Sequence, residues 1–259
     1  MTAASIATGQ AGNRAGLHKR HPWLPLLWQI LVLIVLIAAV FVYLGLADLT
    51  DTERSTLAPA ELWGMTLEHL QLTFLGALIV VVIGVPLGIL LTRGSMRKIS
   101  PGVVVVANFG QAAPAIGVVV LLAMWLGFGA WPATIALVLY ALLPVLSNTM
   151  VGLDGVDKRL IEAGRGMGMS AGAVLLKVEL PLAVPVMLSG IRTALVLLVG
   201  TASLGTFVNA GGLGLLINTG ITLSQGTVLV VGSLLVALLA LVIDWIGRVV
   251  EYVARPKGL

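Results

Sequence analysis

The chain has no cysteine, which excludes disulfides, thiolate metal sites and a cysteine nucleophile. Charge is scarce: only 10% of its 259 residues are Asp, Glu, Lys or Arg, against 59% that are hydrophobic. With a mean hydropathy of +1.09, that scarcity excludes a soluble domain of ordinary composition and indicates a polytopic membrane protein. Aromatic residues make up only 5%, whereas glycines number 31, a balance that suits helices packed closely through small side chains. The three histidines stand at 18, 21 and 69, no HExxH arrangement is present, and no GxxxxGK(S/T) phosphate loop occurs. Catalysis by this chain is disfavoured, and any ATP must be bound by another polypeptide.

The net charge of +4 does not point to nucleic acid, because the basic residues sit along the edges of apolar blocks, where they report orientation. Residues 1–21 form a polar tail ending in His18, Lys19, Arg20 and His21. The apolar run from Trp23 to Leu46 is longer than a signal-peptide core and reads as a first span. Residues 47–68 carry Asp48, Asp51, Glu53, Glu61 and Glu68 against one base, Arg54, which marks the non-cytoplasmic side. Further spans are expected at 70–91, 101–126, 133–150, 182–204 and 227–246, with an uncharged Gly-rich crossing at 205–226. Six helical spans place both termini in the cytoplasm, with Arg54 and, depending on its depth, Arg192 as the basic residues off that side. The expected organisation is a tail, 1–21, and a transmembrane domain, 22–259.

The segment 154–181, DGVDKRLIEAGRGMGMSAGAVLLKVELP, is the polar interruption of this pattern, with four acidic and four basic residues. Asp157 can cap a helix over Lys158 to Arg165, in which Glu162 faces Lys158, Arg159 and Arg165 at pairing distances along the helix. Gly164, Gly166 and Gly168 oppose its continuation. Ser170 can cap a second helix, expected to end before Pro181 because a residue preceding proline is pushed out of the helical region. Two helices around a glycine break form a knob suited to a groove; the alternative is an ordinary solvated connector.

The spacing of Glu162, Ala163, Gly164, Gly168, Val178, Leu180 and Pro181 closely resembles the EAA loop of type I ABC importer permeases. That pattern is Glu-Ala-Ala, a Gly four positions on, and Ile-x-Leu-Pro after nine more; Gly164 and Val178 are the departures. The resemblance extends over residues 66–246, and LLPVLSNTMVGLDGVDKRLIEAGRGMGM, VELPLAVPVMLSGIRTALV and NAGGLGLLINTGI are similar to the osmoprotectant branch, which imports glycine betaine, choline, carnitine and related quaternary amines. That branch usually has Gly where this chain has Asn209. The resemblance implies an all-α fold of six transmembrane helices, a bacterial inner-membrane location, and a coupling loop docked on separate ABC ATPase subunits that hold the ATP and magnesium. It further implies an extracytoplasmic substrate-binding protein, a second permease subunit, identical or paralogous, and a surround of membrane lipid. A methionine or other small-nutrient permease would share the loop, and a secondary ion-coupled carrier is the alternative from a different class.

Polar groups in hydrocarbon seek a wet cavity or a partner helix, so Gln111, Pro114, Tyr140, Asn148 and Asn209 are candidates for lining a path, with interhelical hydrogen bonding as the competing role. Tyr140 can also offer a cation–π face. Arg192 is a candidate inner-gate residue that can snorkel to the inner surface. Asp244, the one acid inside a span, stands four residues before Arg248, a favourable helical pair. The GxxxG spacing at Gly84 to Gly88 reads as helix packing.

Overall fold

The computed structural model describes residues 23–254, and every regular element within them is helical. The tail 1–21, its basic cluster, and Arg255 and Lys257 lie outside the described residues. The elements are α1 (Leu24–Leu46), α2 (Asp51–Thr56), α3 (Pro59–Leu91), α4 (Ser100–Ala112), α5 (Ala115–Leu126), α6 (Ala130–Asp154), α7 (Lys158–Gly166), α8 (Ala171–Val174), α9 (Leu180–Ala202), α10 (Gly214–Thr222) and α11 (Gly226–Ala254). Among the described residues five helical stretches are long and apolar enough to cross a membrane, and α4 with α5, bent by 94°, makes a sixth when the pair is counted as one broken span.

That bend corrects the expectation of one continuous span over 101–126. Pro114 cannot donate to the backbone four residues back, and it pushes Ala113 to an extended ψ of 147°. The Tyr140 hydroxyl, from mid-α6, donates to the Ala113 carbonyl left over at the break. The helix end therefore finds a partner on a neighbouring helix. The two segments together are apolar enough for a span, so hydropathy alone does not mark the bend.

The span expected at 70–91 is longer than its apolar stretch. Helix α3 starts at Pro59, a residue already shaped for the first helical turn, and runs 33 residues, about 50 Å at ~1.5 Å per residue. Residues 47–68 are thus largely helical, and Glu61 and Glu68 occupy exposed positions on α3. Similarly, the Gly-rich crossing at 205–226 contains the helix α10.

Three helices form the centre: α3, α6 and α9, joined through Leu72, Val80, Leu137, Ala141, Val145, Ala194 and Leu198. Inside a bilayer, dispersion and close approach hold such helices, since lipid tails are as apolar as leucine. The GxxxG glycines serve that approach. A Cβ on Gly84 would lie 3.0 Å from Val145, and one on Gly88 would lie 2.7 Å from Thr149, so both are packing positions against α6. Pro86 lies between them without breaking α3.

Helix α1 joins from outside. Trp245 Nε1 donates to the Leu26 carbonyl at 2.9 Å and Gln29 donates to Asp244 at 3.2 Å. Leu33 and Val40 are buried with α10 and α11. The turn between α5 and α6 uses Gly127 and Gly129, at φ +88° and +133°, and is flanked by exposed Trp125 and Trp131.

Candidate functional site: the knob between α6 and α9

The chain leaves α6 at Asp154 and enters the knob through buried Val156. Asp157 accepts a 2.9 Å hydrogen bond from the Arg159 amide, capping α7. The helix closes with two bonds: Met169 N–H donates to the Gly164 carbonyl at 3.1 Å, and Gly168 N–H to the Arg165 carbonyl at 2.9 Å. This pair is the Schellman closure, and it requires a left-handed residue at position 168. Gly168 has φ +83°. Ser170 then accepts from the Ala173 amide at 3.3 Å, capping α8. The letters Gly168-Met169-Ser170-Ala171-Gly172 read GxSxG, but the serine caps a helix within a helical hairpin, which is no strand-to-helix nucleophile elbow.

The second arm does not stop before Pro181. Residues Leu175–Glu179 form a π turn, in which Leu180 N–H reaches the Leu175 carbonyl, and α9 follows directly. The expectation of a break rested on α geometry. Here the wider ring absorbs the proline, which stands in the first turn of α9 where its missing donor costs nothing. The arm from Ala171 to Val208 is one stretch of 38 residues.

The motif residues divide into two groups. Gly164 is buried, and a Cβ there would lie 3.3 Å from Val174 and 3.8 Å from Val178. It is the contact point of the two arms. Leu180 packs with Leu153, Ala183 and Met187 where the knob meets the bundle. Glu162 and Ala163 face outward, as do Leu160 and Met167, which are 47% and 72% exposed. Leu160, Ala163 and Met167 lie at i, i+3 and i+7, so α7 presents an apolar stripe bordered by charge. The expected pairing of Glu162 with Lys158, Arg159 or Arg165 does not form: among the described residues Glu162 has no salt bridge. All four side chains are exposed, where such pairs contribute only a few tenths of a kcal/mol.

Two ion pairs tie the knob to the bundle. Arg93, just after α3, forms a bidentate pair with Glu179 in the π turn, at 2.5 and 3.1 Å. Glu179 is buried at 4% exposure. Arg97 pairs with Asp154 at 3.2 Å. In the sequence Arg93 and Arg97 are basic residues at the edge of an apolar block, which report orientation, and nothing there singles out Glu179. The separation of Arg93 from Glu179, 86 residues, leaves no local spacing to read.

The other candidates are dispersed. Asn148 donates to the Pro144 carbonyl of its own helix at 2.8 Å, and Tyr140 is committed to the bend. Gln111 lies half-buried on α4, and Pro114 is exposed at the bend. Asn209 alone of the five lines the cavity of about 380 Å³ between α3 and the 209–211 segment. Its backbone is left-handed, φ 59° and ψ 37°, a conformation that Gly and Asn share. That accounts for an Asn where the resembling branch has Gly.

Arg192 spans from α9 to α11, pairing with Asp244 at 3.5 Å and Glu251 at 3.1 Å. Asp244 is also bound by Arg248 at 2.8 Å. Gly247 makes room for this, since a Cβ there would meet Arg192 Cγ at 2.7 Å.

Residues 84–252 match the family described as binding-protein-dependent transport system inner membrane component. The chain belongs to that family. It is 39% identical over 199 residues to the glycine betaine/carnitine/choline transport system permease protein OpuCB of Bacillus subtilis (strain 168), covering 77% of this chain and 91% of that one. The osmoprotectant import permease protein OsmW of Salmonella typhimurium is 39% identical over 200 residues, covering 75% and 92%. Among solved structures, an inward-facing MetNI methionine ABC transporter aligns with a TM-score of 0.67 at 25% identity, over 77% of this chain and all of that one. An amino acid ABC transporter crystallised with histidines shares the fold at a TM-score of 0.63 and 17% identity, over 80% and 99%. The fold is that of a type I ABC importer transmembrane subunit in a multi-pass membrane protein.

Proposed function

We propose that this chain is the membrane subunit of an ATP-driven, binding-protein-dependent importer of quaternary-amine osmoprotectants, the class of glycine betaine, choline and carnitine. Family membership supports transport, and relatives near 39% identity support the substrate class. The observation that carries the mechanism is the knob, whose apolar stripe and unpaired Glu162 face outward while its base is clamped to α3 and α6. It docks on a separate ATPase subunit that supplies ATP and magnesium, with the basic end of the bundle in the cytoplasm and both termini there. Glu162 then meets a base, and Leu160, Ala163 and Met167 fill a groove. Closure of two ATPase subunits displaces two such knobs, one on this chain and one on a second permease subunit. Arg93–Glu179 and Arg97–Asp154 pass the displacement to α3 and α6, so access alternates. Substrate arrives from an extracytoplasmic binding protein at the acidic end.

A methionine-type importer shares the fold, but the OpuCB and OsmW relatives, at 39% identity, favour the amine. A proton-coupled carrier needs a titratable acid free in the bilayer; Asp244 is held by two arginines. The test is reconstitution with the partner ATPase and binding protein. Glu162→Lys and Gly168→Asp are expected to abolish ATPase association and ATP-dependent choline uptake. Intact association and uptake in both variants would overturn the coupling role, and methionine uptake without amine uptake would overturn the substrate.

A further inference from the structure

The cavity beside Asn209 has a composition suited to one ligand chemistry. Its α3 wall is Glu68, Gln71, Leu72 and Leu75, at i, i+3, i+4 and i+7 on one helix face. Opposite lie Ala130, Asn209, Ala210 and Gly211. The Glu68 carboxylate is fixed, because its Oε2 accepts from Gly212 N–H at 2.9 Å. Gly211 and Gly212, at φ +79° and +88°, allow that approach, and a Cβ on Gly211 would collide with the carboxylate. No Lys or Arg lines the cavity, and among the described residues Glu68 has no ion pair. The space is a positioned negative charge beside an apolar wall, with two side-chain amides in reach.

We propose that this cavity is a binding site for the quaternary ammonium group of the substrate, with Glu68 as its counter-charge and Gln71 and Asn209 as donors to the substrate's other end. The proposal rests on the quaternary-amine reading above. A tetraalkylammonium has no N–H to donate, so it is recognised by charge and apolar contact; Leu72, Leu75, Ala130 and Ala210 supply the contact. The carboxylate of a betaine or the hydroxyl of choline accepts from an amide N–H. A volume of about 380 Å³ holds a molecule of this size and lies in the range of small-ligand sites. The absence of a cage of aromatic rings makes the site weak, as a transfer station in a transport path requires: an ion must be able to leave what it enters.

The experiment uses the assembled permease and ATPase without the binding protein, and radiolabelled choline as probe. Wild type is expected to bind choline in competition with tetramethylammonium. Glu68→Gln retains an oxygen that accepts from Gly212 N–H but removes the charge, and is expected to weaken binding about tenfold, the loss of one charge-assisted contact. Asn209→Gly keeps the left-handed backbone and is expected to weaken glycine betaine while leaving tetramethylammonium unchanged. Leu75→Trp fills the cavity without touching Glu68 and is expected to abolish binding, which keeps the test decisive if Glu68→Gln does not fold. Choline bound equally by wild type, Glu68→Gln and Leu75→Trp overturns the site. So does an assembly that imports choline with its binding protein yet shows no such binding. Failure of the wild type to import any quaternary amine overturns the substrate reading instead.

Discussion

Two glycines four residues apart in the knob are predicted to respond unequally to the same added methyl. At Gly168, φ is +83°, and an L-residue there costs about 1–2 kcal/mol. Loss of unfolded-chain freedom returns about 0.4–1 kcal/mol, so Gly168→Ala should destabilise the closure by roughly 0.5–1.5 kcal/mol. At Gly164 the backbone is helical, and Ala gains about 0.8–1.0 kcal/mol in propensity. The new methyl sits 3.3 Å from Val174 Cγ2, which must give by a few tenths of an ångström, a cost comparable to the gain. Gly164→Ala should therefore be close to neutral. Hydrogen exchange of the Met169 amide, which donates to the Gly164 carbonyl, reads the closure locally in nanodiscs. Gly168→Ala should speed its exchange several-fold, about fivefold per kcal/mol, and Gly164→Ala should change it less than twofold. Equal acceleration in both, or none in Gly168→Ala, refutes the reasoning.

Other consequences follow from the ion pairs and caps. Glu179→Ala removes a buried carboxylate from a half-exposed arginine, and should lower stability by about 1–2 kcal/mol while raising ATP consumed per substrate moved; the swap Arg93→Glu with Glu179→Arg should restore the ratio in proteoliposomes. Arg192→Met leaves Asp244 with Arg248 but strips Glu251 of the base it pairs with, so the thermal midpoint should fall, and Glu251→Gln in the same chain should recover part of it. Glu53 is held below its ordinary value of 4.5 by the Thr50 backbone N–H and then by the Thr50 side chain. Because the folded value is the lower one, this stabilisation is complete above 4.5 and lost as pH falls through the depressed value. Exchange in Asp51–Thr56 should rise only in that acid window, and Thr50→Val should move its onset to higher pH.

Much of this fold was legible from hydropathy and charge, for the bilayer imposes helices and a minimum length. The caps at Asp157 and Ser170 were legible as well, since a short acceptor before a helical run has one local use. What escaped was geometry that one-dimensional patterns do not carry. The 94° turn at Pro114 lies inside a stretch that reads as one apolar span, and the π turn before Pro181 satisfies the proline rule in a way α geometry does not offer. The Arg93–Glu179 clamp joins residues 86 apart, so neither charge reveals its partner. The motif spacing located the knob but assigned one role to residues that the structure separates, with Glu162 and Ala163 outward and Gly164 and Gly168 building the corner.

The absence of cysteine permits a direct test of the central claim that α7 transmits ATP-driven motion. Ala163→Cys introduces a single thiol on the exposed stripe, and a short bifunctional cross-linker can be applied to the assembly with single-cysteine ATPase subunits. The account predicts a cross-link from position 163 to the ATPase whose yield changes between nucleotide-free and ATP-bound states. An Ala163→Cys chain that imports substrate yet forms no cross-link to any ATPase position in either state would contradict it.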